Sequence, residues 1–121
     1  MKLLLTMLSM AMVAAAPSDD RTAQLAGTWS VDLRVKLDDP PYSQPMALAV
    51  DGDGNVTGSF YQSDILAGRA GTAQGRTCIA FRSTDGQGMY HTSACLTDGK
   101  LVGQTWAEGR GFVLPWTATR S

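Results

Sequence analysis

The chain has 121 residues, a formal net charge of −1, one histidine and two cysteines. That length leaves room for one domain. The near-neutral charge, with its cations scattered, excludes the basic face that a phosphate backbone demands, and a single histidine excludes a histidine-rich metal site.

The N-terminus, MKLLLTMLSMAMVAAAP, carries one basic residue, Lys2, an apolar run from Leu3 to Val13, and then small residues. This three-part pattern predicts a secretory signal peptide over 1–16, with cleavage after Ala15. The run is shorter than the ~20 residues of a bilayer span, and no cysteine follows it to take a lipid anchor. Loss of Lys2 leaves a net charge of about −2. The expected location is therefore secreted or periplasmic, with no membrane partner and no nucleic acid.

Residues 17–24, PSDDRTAQ, read as a flexible polar lead, and residues 25–121 as one β-domain. Apolar residues alternate through that domain instead of recurring at three and four, and 13 glycines punctuate it. Trp29, Val31, Leu33, Val35 and Leu37 share one face of a first strand, which DDPPYSQP ends, because consecutive prolines cannot donate to a ladder. MALAV (46–50) and VTGSFY (56–61) follow, joined by DGDGN. After a break at QSD come ILAGRAG (65–71) and TAQGRTCIAFRS (72–83). The turns DGQG (85–88), Asp98-Gly99 and EGRG (108–111) then separate MYHTSACLT, KLVGQTWA and FVLPWTATR. Eight short strands joined mostly by hairpins predict an all-β, single, eight-stranded antiparallel up-and-down barrel, which also removes exposed edges.

The two cysteines flank one turn. If DGQG closes a hairpin, Thr84 faces Met89, and every facing pair has the same sum of residue numbers. Cys78 and Cys95 satisfy it, so they should lie opposite one another and form a disulfide. Their face also carries Arg76, Ala80 and Arg82 opposite Thr97, Ser93 and His91. The other face, with Thr77, Ile79 and Phe81 opposite Leu96, Ala94 and Thr92, is more apolar, so the disulfide is expected on the barrel exterior. A redox role is disfavoured because there is no C-x-x-C and no environment to lower a thiol pKa.

Little here points to catalysis. His91 falls on the outer face with no carboxylate placed by the strand pattern to orient it. DGDGN resembles half of a calcium loop, but Val56 and Gln62 stand where that loop needs Gly and Glu, so a turn is the better reading. GRAGTAQG follows no βα unit and is expected to bulge a strand. We therefore expect no enzyme, no metal and no cofactor.

The aromatics are the remaining signal. Trp29, Phe60, Tyr90, Trp106 and Trp116, with Thr92 beside them, are the ligand-binding candidates. An eight-stranded barrel is just wide enough for them either to fill or to leave room for one small ligand. Trp106 stays open at this level: a two-residue turn at Asp98-Gly99 puts it outside with Cys95, whereas a bulge would return it inside. Pro115 implies either a bulge or a lost ladder bond in the last strand.

GTW at 27–29, DGNVTGSFY at 53–61 and GQTW at 103–106 together resemble the avidin family, and Gly-x-Trp on the first strand resembles the lipocalin signature. The resemblance implies an exported, non-enzymatic barrel holding a small ligand at one mouth, often assembled into oligomers through the barrel exterior. The biotin contacts of avidins are largely unmatched: Val31 stands in place of an asparagine, Phe60 in place of a tyrosine, and FVLPWTATR contains no aspartate. Only Trp106 keeps a recognisable stacking position. The expected function is binding of a small, largely apolar ligand inside the barrel. The alternatives are a protein-binding barrel, such as a periplasmic protease inhibitor that inserts PSDDRTAQ into its target, and a structural interaction module with a filled core.

Overall fold

The computed structural model describes residues 20–121; the expected signal peptide and the first residues of the lead lie outside them. The chain forms a helical turn α1 (Asp20–Ala23), then β1 (Gly27–Asp32), β2 (Ser43–Val50), β3 (Asn55–Phe60), β4 (Ser63–Asp64), β5 (Leu66–Ala73), β6 (Arg76–Thr84), β7 (Met89–Thr97), β8 (Lys100–Ala107), a 3₁₀ turn (Glu108–Arg110) and β9 (Phe112–Arg120). Around the sheet the order is β2-β1-β9-β8-β7-β6-β5-β3, and β3 pairs back to β2. The result is a closed antiparallel barrel of eight strands, as the hairpin count predicted, with β4 as a short addition folded onto β3. Closure leaves no barrel strand with a free edge along its whole length.

The strand that departs most from expectation is β1, which ends at Asp32 instead of running to Leu37. The carboxylate of Asp32 accepts from both the backbone N–H and the guanidinium of Arg34, and Asp39 accepts from the Lys36 N–H. These local bonds turn the backbone out of the ladder. Leu33 stays buried and donates to the Tyr42 carbonyl, whereas Val35 and Leu37 are 81% and 84% exposed. The other departure is TAQG, which is not all strand: Gln74 and Gly75 both have positive φ and form the two-residue turn between β5 and β6. The irregularity expected of the glycine-rich stretch lies earlier in β5, between Leu66 and Arg69.

The β6–β7 register is the one the cysteines demanded, with Thr84 opposite Met89 and Cys78 opposite Cys95. The disulfide joins them across a Cα separation of 4.0 Å. Ile79, Phe81, Thr92 and Ala94 are buried, while Ala80, Arg82 and Ser93 are exposed, so the staple is on the outside. β9 runs against β8 in unbroken register from Ala107↔Phe112 to Leu101↔Ala118, so Pro115 causes no bulge. β1 leaves the sheet at Asp32, opposite Thr117, so the ladder of β9 is one-sided at Pro115 and the lost donor is tolerated there.

The interior is filled by Trp29, Met46, Leu48, Ile79, Phe81, Leu101 and Trp116, all at 5% exposure or less. Phe60 packs edge-on to Phe81 at 6.0 Å between ring centroids and lies 5.8 Å from Trp116. Gly103 makes the last of these positions possible, because a Cβ there would stand 2.9 Å from the Trp116 ring and 2.6 Å from the Ala94 side chain.

Candidate functional site

Hairpin connections alternate between the two ends of an up-and-down barrel, and here the ends differ in kind. At one end two of the three turns, Gln74-Gly75 and Asp98-Gly99, have two residues, and α1 packs near β5 and β6. Leu25, just after α1, is fully buried, and its carbonyl accepts the Trp29 indole N–H at 2.9 Å. Arg120, the last residue of β9, lies with its guanidinium carbon 4.2 Å from the Trp29 ring centroid. It donates to the carbonyls of Ala26 (2.8 Å) and Gln24. Gly27 has φ of +125°, and a Cβ there would meet the Arg120 guanidinium at 2.9 Å, so the Gly-x-Trp sequence has a local physical reason. This end is closed, and part of the segment read as a flexible lead is its plug.

At the opposite end lie the loop after Leu33, the turn at Tyr61, DGQG and EGRG. Above the aromatic floor the barrel opens into a cavity of about 350 Å³. Its apolar wall is formed by Leu33, Phe60, Phe112 and Leu114, and its polar side by Asp85, Tyr90 and Arg110. The DGQG and EGRG loops touch, since a Cβ on Gly88 would lie 3.4 Å from the Gly109 Cα. Between them the Tyr90 hydroxyl donates to Asp85 Oδ2 at 2.7 Å, and Arg110 donates to the same oxygen at 3.0 Å. The Gln87 N–H donates to Asp85 Oδ1. The Tyr90 hydroxyl, then the Gln87 N–H, hold the Asp85 carboxyl below the usual carboxylate range. Partial burial, and then the bond to Asp85, push the Tyr90 phenol above its ordinary value.

The candidate residues from the sequence divide among these regions. Phe60 and Tyr90 line the cavity. Trp29 sits at the closed end, and Trp116 lies in the floor with its indole N–H on Thr105 Oγ1 at 2.9 Å. Thr92 is buried beside it, its hydroxyl 2.9 Å from the Thr105 hydroxyl. These three are packing and hydrogen-bonding groups beneath the opening, not its lining. Trp106 is outside: β8 alternates without a bulge, Thr97 faces Lys100, and the indole is 46% exposed. Its place as a contact inside the barrel is therefore corrected, because period-two alternation admits only Leu101, Gly103, Thr105 and Ala107 of that strand to the interior.

Leu33, Asp85, Arg110 and Leu114 were not anticipated, whereas Phe112, one of the aromatics of the last strand, does line the opening. The signal was present: DGQG and EGRG are alternate hairpin loops and must share an end. His91 also gains a partner that strand parity did not reveal, since Glu108 Oε1 lies 2.8 Å from its Nε2. The imidazole stacks on Trp106 at 4.8 Å. A carboxylate can only accept, so Nε2 donates. Among the described residues no cluster of His, Cys, Asp or Glu could hold a metal ion, and no helix is long and apolar enough to cross a membrane.

The fold and site define a closed eight-stranded barrel plugged at one end and open at the other. No family model, curated protein or solved structure matches the chain.

Proposed function

We propose that this chain is an exported, non-enzymatic barrel that takes up a small, largely apolar ligand through its open end. The observation that carries the reading is the cavity of about 350 Å³ above a packed aromatic floor. It is concave and mostly apolar, with a few convergent polar groups, the usual character of a small-molecule site. An apolar body would lie against Phe60, Phe112, Leu33 and Leu114. A polar end would meet Asp85, Tyr90 and Arg110. Compatibility of the external disulfide with an oxidising compartment supports export. The arrangement of strands and the position of Gly27-Thr28-Trp29 are consistent with the avidin and lipocalin resemblance, although the biotin contacts of avidins are largely unmatched in this chain.

The test is native mass spectrometry of the protein purified from an exporting host, before and after mild denaturation, beside a Ser83→Trp variant. Ser83 is buried at the cavity wall, and an indole there would fill the opening. A small-molecule adduct on the parent that is absent from the variant is the expected result. An adduct retained at equal occupancy by the folded variant would sink the reading.

A further inference from the structure

The geometry points to a second ligand site, on the outside of the barrel, that takes an acidic saccharide through Arg82, His91, Ser93, Gln104 and Trp106. It is independent of the cavity at the mouth. Successive pairings place Leu66, Arg82, His91, Trp106 and Val113 in one row across β5 to β9, with outward-facing residues. The next outer row is Arg69, Ala80, Ser93, Gln104 and Pro115. Because Ala80 and Ser93 are small, the second row leaves a trough beside the first, and a groove of about 440 Å³ lies there. β6, β7 and β8 are each paired on both sides, so this groove offers no free strand edge. Recognition has to come from side chains.

Their chemistry is cationic and rich in hydrogen-bonding groups. Arg82 is exposed, and its guanidinium has no hydrogen bond or ion pair among the described residues. Arg69 adds positive charge at the end of the trough, its guanidinium tied to Asn55 Oδ1 and the Asp53 carbonyl. Among the described residues no carboxylate lines the groove, although the chain as a whole is net negative. Glu108, the acid nearest His91, is taken up by that imidazole. With Nε2 on Glu108, Nδ1 of the imidazole remains for a further hydrogen bond. Ser93 and Gln104 add a hydroxyl and an amide, both without a side-chain hydrogen bond among the described residues. Trp106 and Val113 add apolar surface at 46% and 55% exposure.

A bare inorganic anion would use Arg82 and leave the indole idle. A fatty acid would cover Ser93, Gln104 and His91 without replacing the hydrogen bonds they make to water, which is costly. A sugar acid meets both demands: its carboxylate suits the fork of Arg82, its hydroxyls the imidazole, hydroxyl and amide, and its C–H face the indole.

The experiment is a ¹H–¹⁵N NMR titration of the intact protein with trigalacturonate, with maltotriose as the neutral comparator and acetate as the simple anion, all at matched ionic strength. Saturable shifts at the Trp106 indole, the Gln104 amide and Ser93 are expected with trigalacturonate, with maltotriose and acetate each bound roughly tenfold or more weakly. Arg82→Gln should weaken trigalacturonate by about tenfold, while Phe112→Ala at the mouth should leave it unchanged. Equal binding of acetate, equal binding of maltotriose, shifts confined to the mouth, or no shift at millimolar trigalacturonate would each overturn the site. So would shifts at these residues that follow protein dilution alone, which would mean that a second copy of the chain covers the face.

Discussion

The two ends of this barrel are built from the same strands and differ in what their connections do. At the closed end the chain uses two-residue turns at Gln74-Gly75 and Asp98-Gly99, and the plug contributes Leu25, whose carbonyl satisfies the buried Trp29 indole. Arg120 then ties the last strand back to the carbonyls of Gln24 and Ala26. At the open end Asp85, Tyr90 and Arg110, from two facing loops, bind one another above an unfilled space. One end is therefore expected to set stability and the other to set selectivity. Stability follows desolvated packing, whereas exposed polar networks contribute little to it and are free to face a ligand.

The sharpest way to break this contrast is at Trp29, which is fully buried. Trp29→Ala should cost about 3–5 kcal/mol in urea denaturation, whereas Phe112→Ala at the mouth, half-exposed in the parent, should shift the midpoint far less. Comparable losses would mean that the mouth is as structural as the base. Opening the disulfide by Cys78→Ser with Cys95→Ser should cost about 3 kcal/mol, by release of a loop of roughly sixteen residues in the unfolded chain. Because the bridge is external, the double variant should bind at the mouth with unchanged affinity if it folds; a large affinity change would couple the two regions. Arg120→Met keeps the aliphatic stem and removes the cation over Trp29, and should cost about 1 kcal/mol.

The smallest effect lies in the mouth network and concerns pH. Asp85 has a folded-state pKa lowered chiefly by the Tyr90 hydroxyl. Its contribution is therefore complete above the ordinary carboxyl value of about 3.9 and is lost as pH falls through the lower folded value. Tyr90→Phe removes the leading cause, so the Asp85 titration followed by ¹³C carboxyl shifts should move upward, toward the ordinary range. An unchanged midpoint would assign the depression to the Gln87 N–H and to Arg110. Global stability near neutral pH should scarcely move, because the network is largely solvent-exposed.

Much of this was legible in alternation and turn chemistry. The β6–β7 register followed from two cysteines and one loop length, and the outward position of Trp106 was one of two readings that parity allowed. The Leu33–Leu37 stretch misled because alternation continues there in sequence, while Asp32 and Asp39 offer the backbone closer partners than a neighbouring strand. The mouth network was legible only in part: loop alternation places DGQG and EGRG at one end, but pairing of Asp85 with Tyr90 and Arg110 depends on how far the two loops lean together. His91 with Glu108 is similar, a contact made through a turn that no strand register describes.

By itself the sequence determined the class of fold, the eight strands of the barrel, the β6–β7 register and the face on which the disulfide lies, because period-two patterning and turn residues act over a few neighbours. Only the tertiary structure decided that the base is plugged and the mouth open, that Trp106 belongs to an exterior groove, and which polar groups meet. Those outcomes depend on barrel closure, which brings residues as distant as Gln24 and Arg120 together and leaves or fills space according to the combined volume of side chains from every strand.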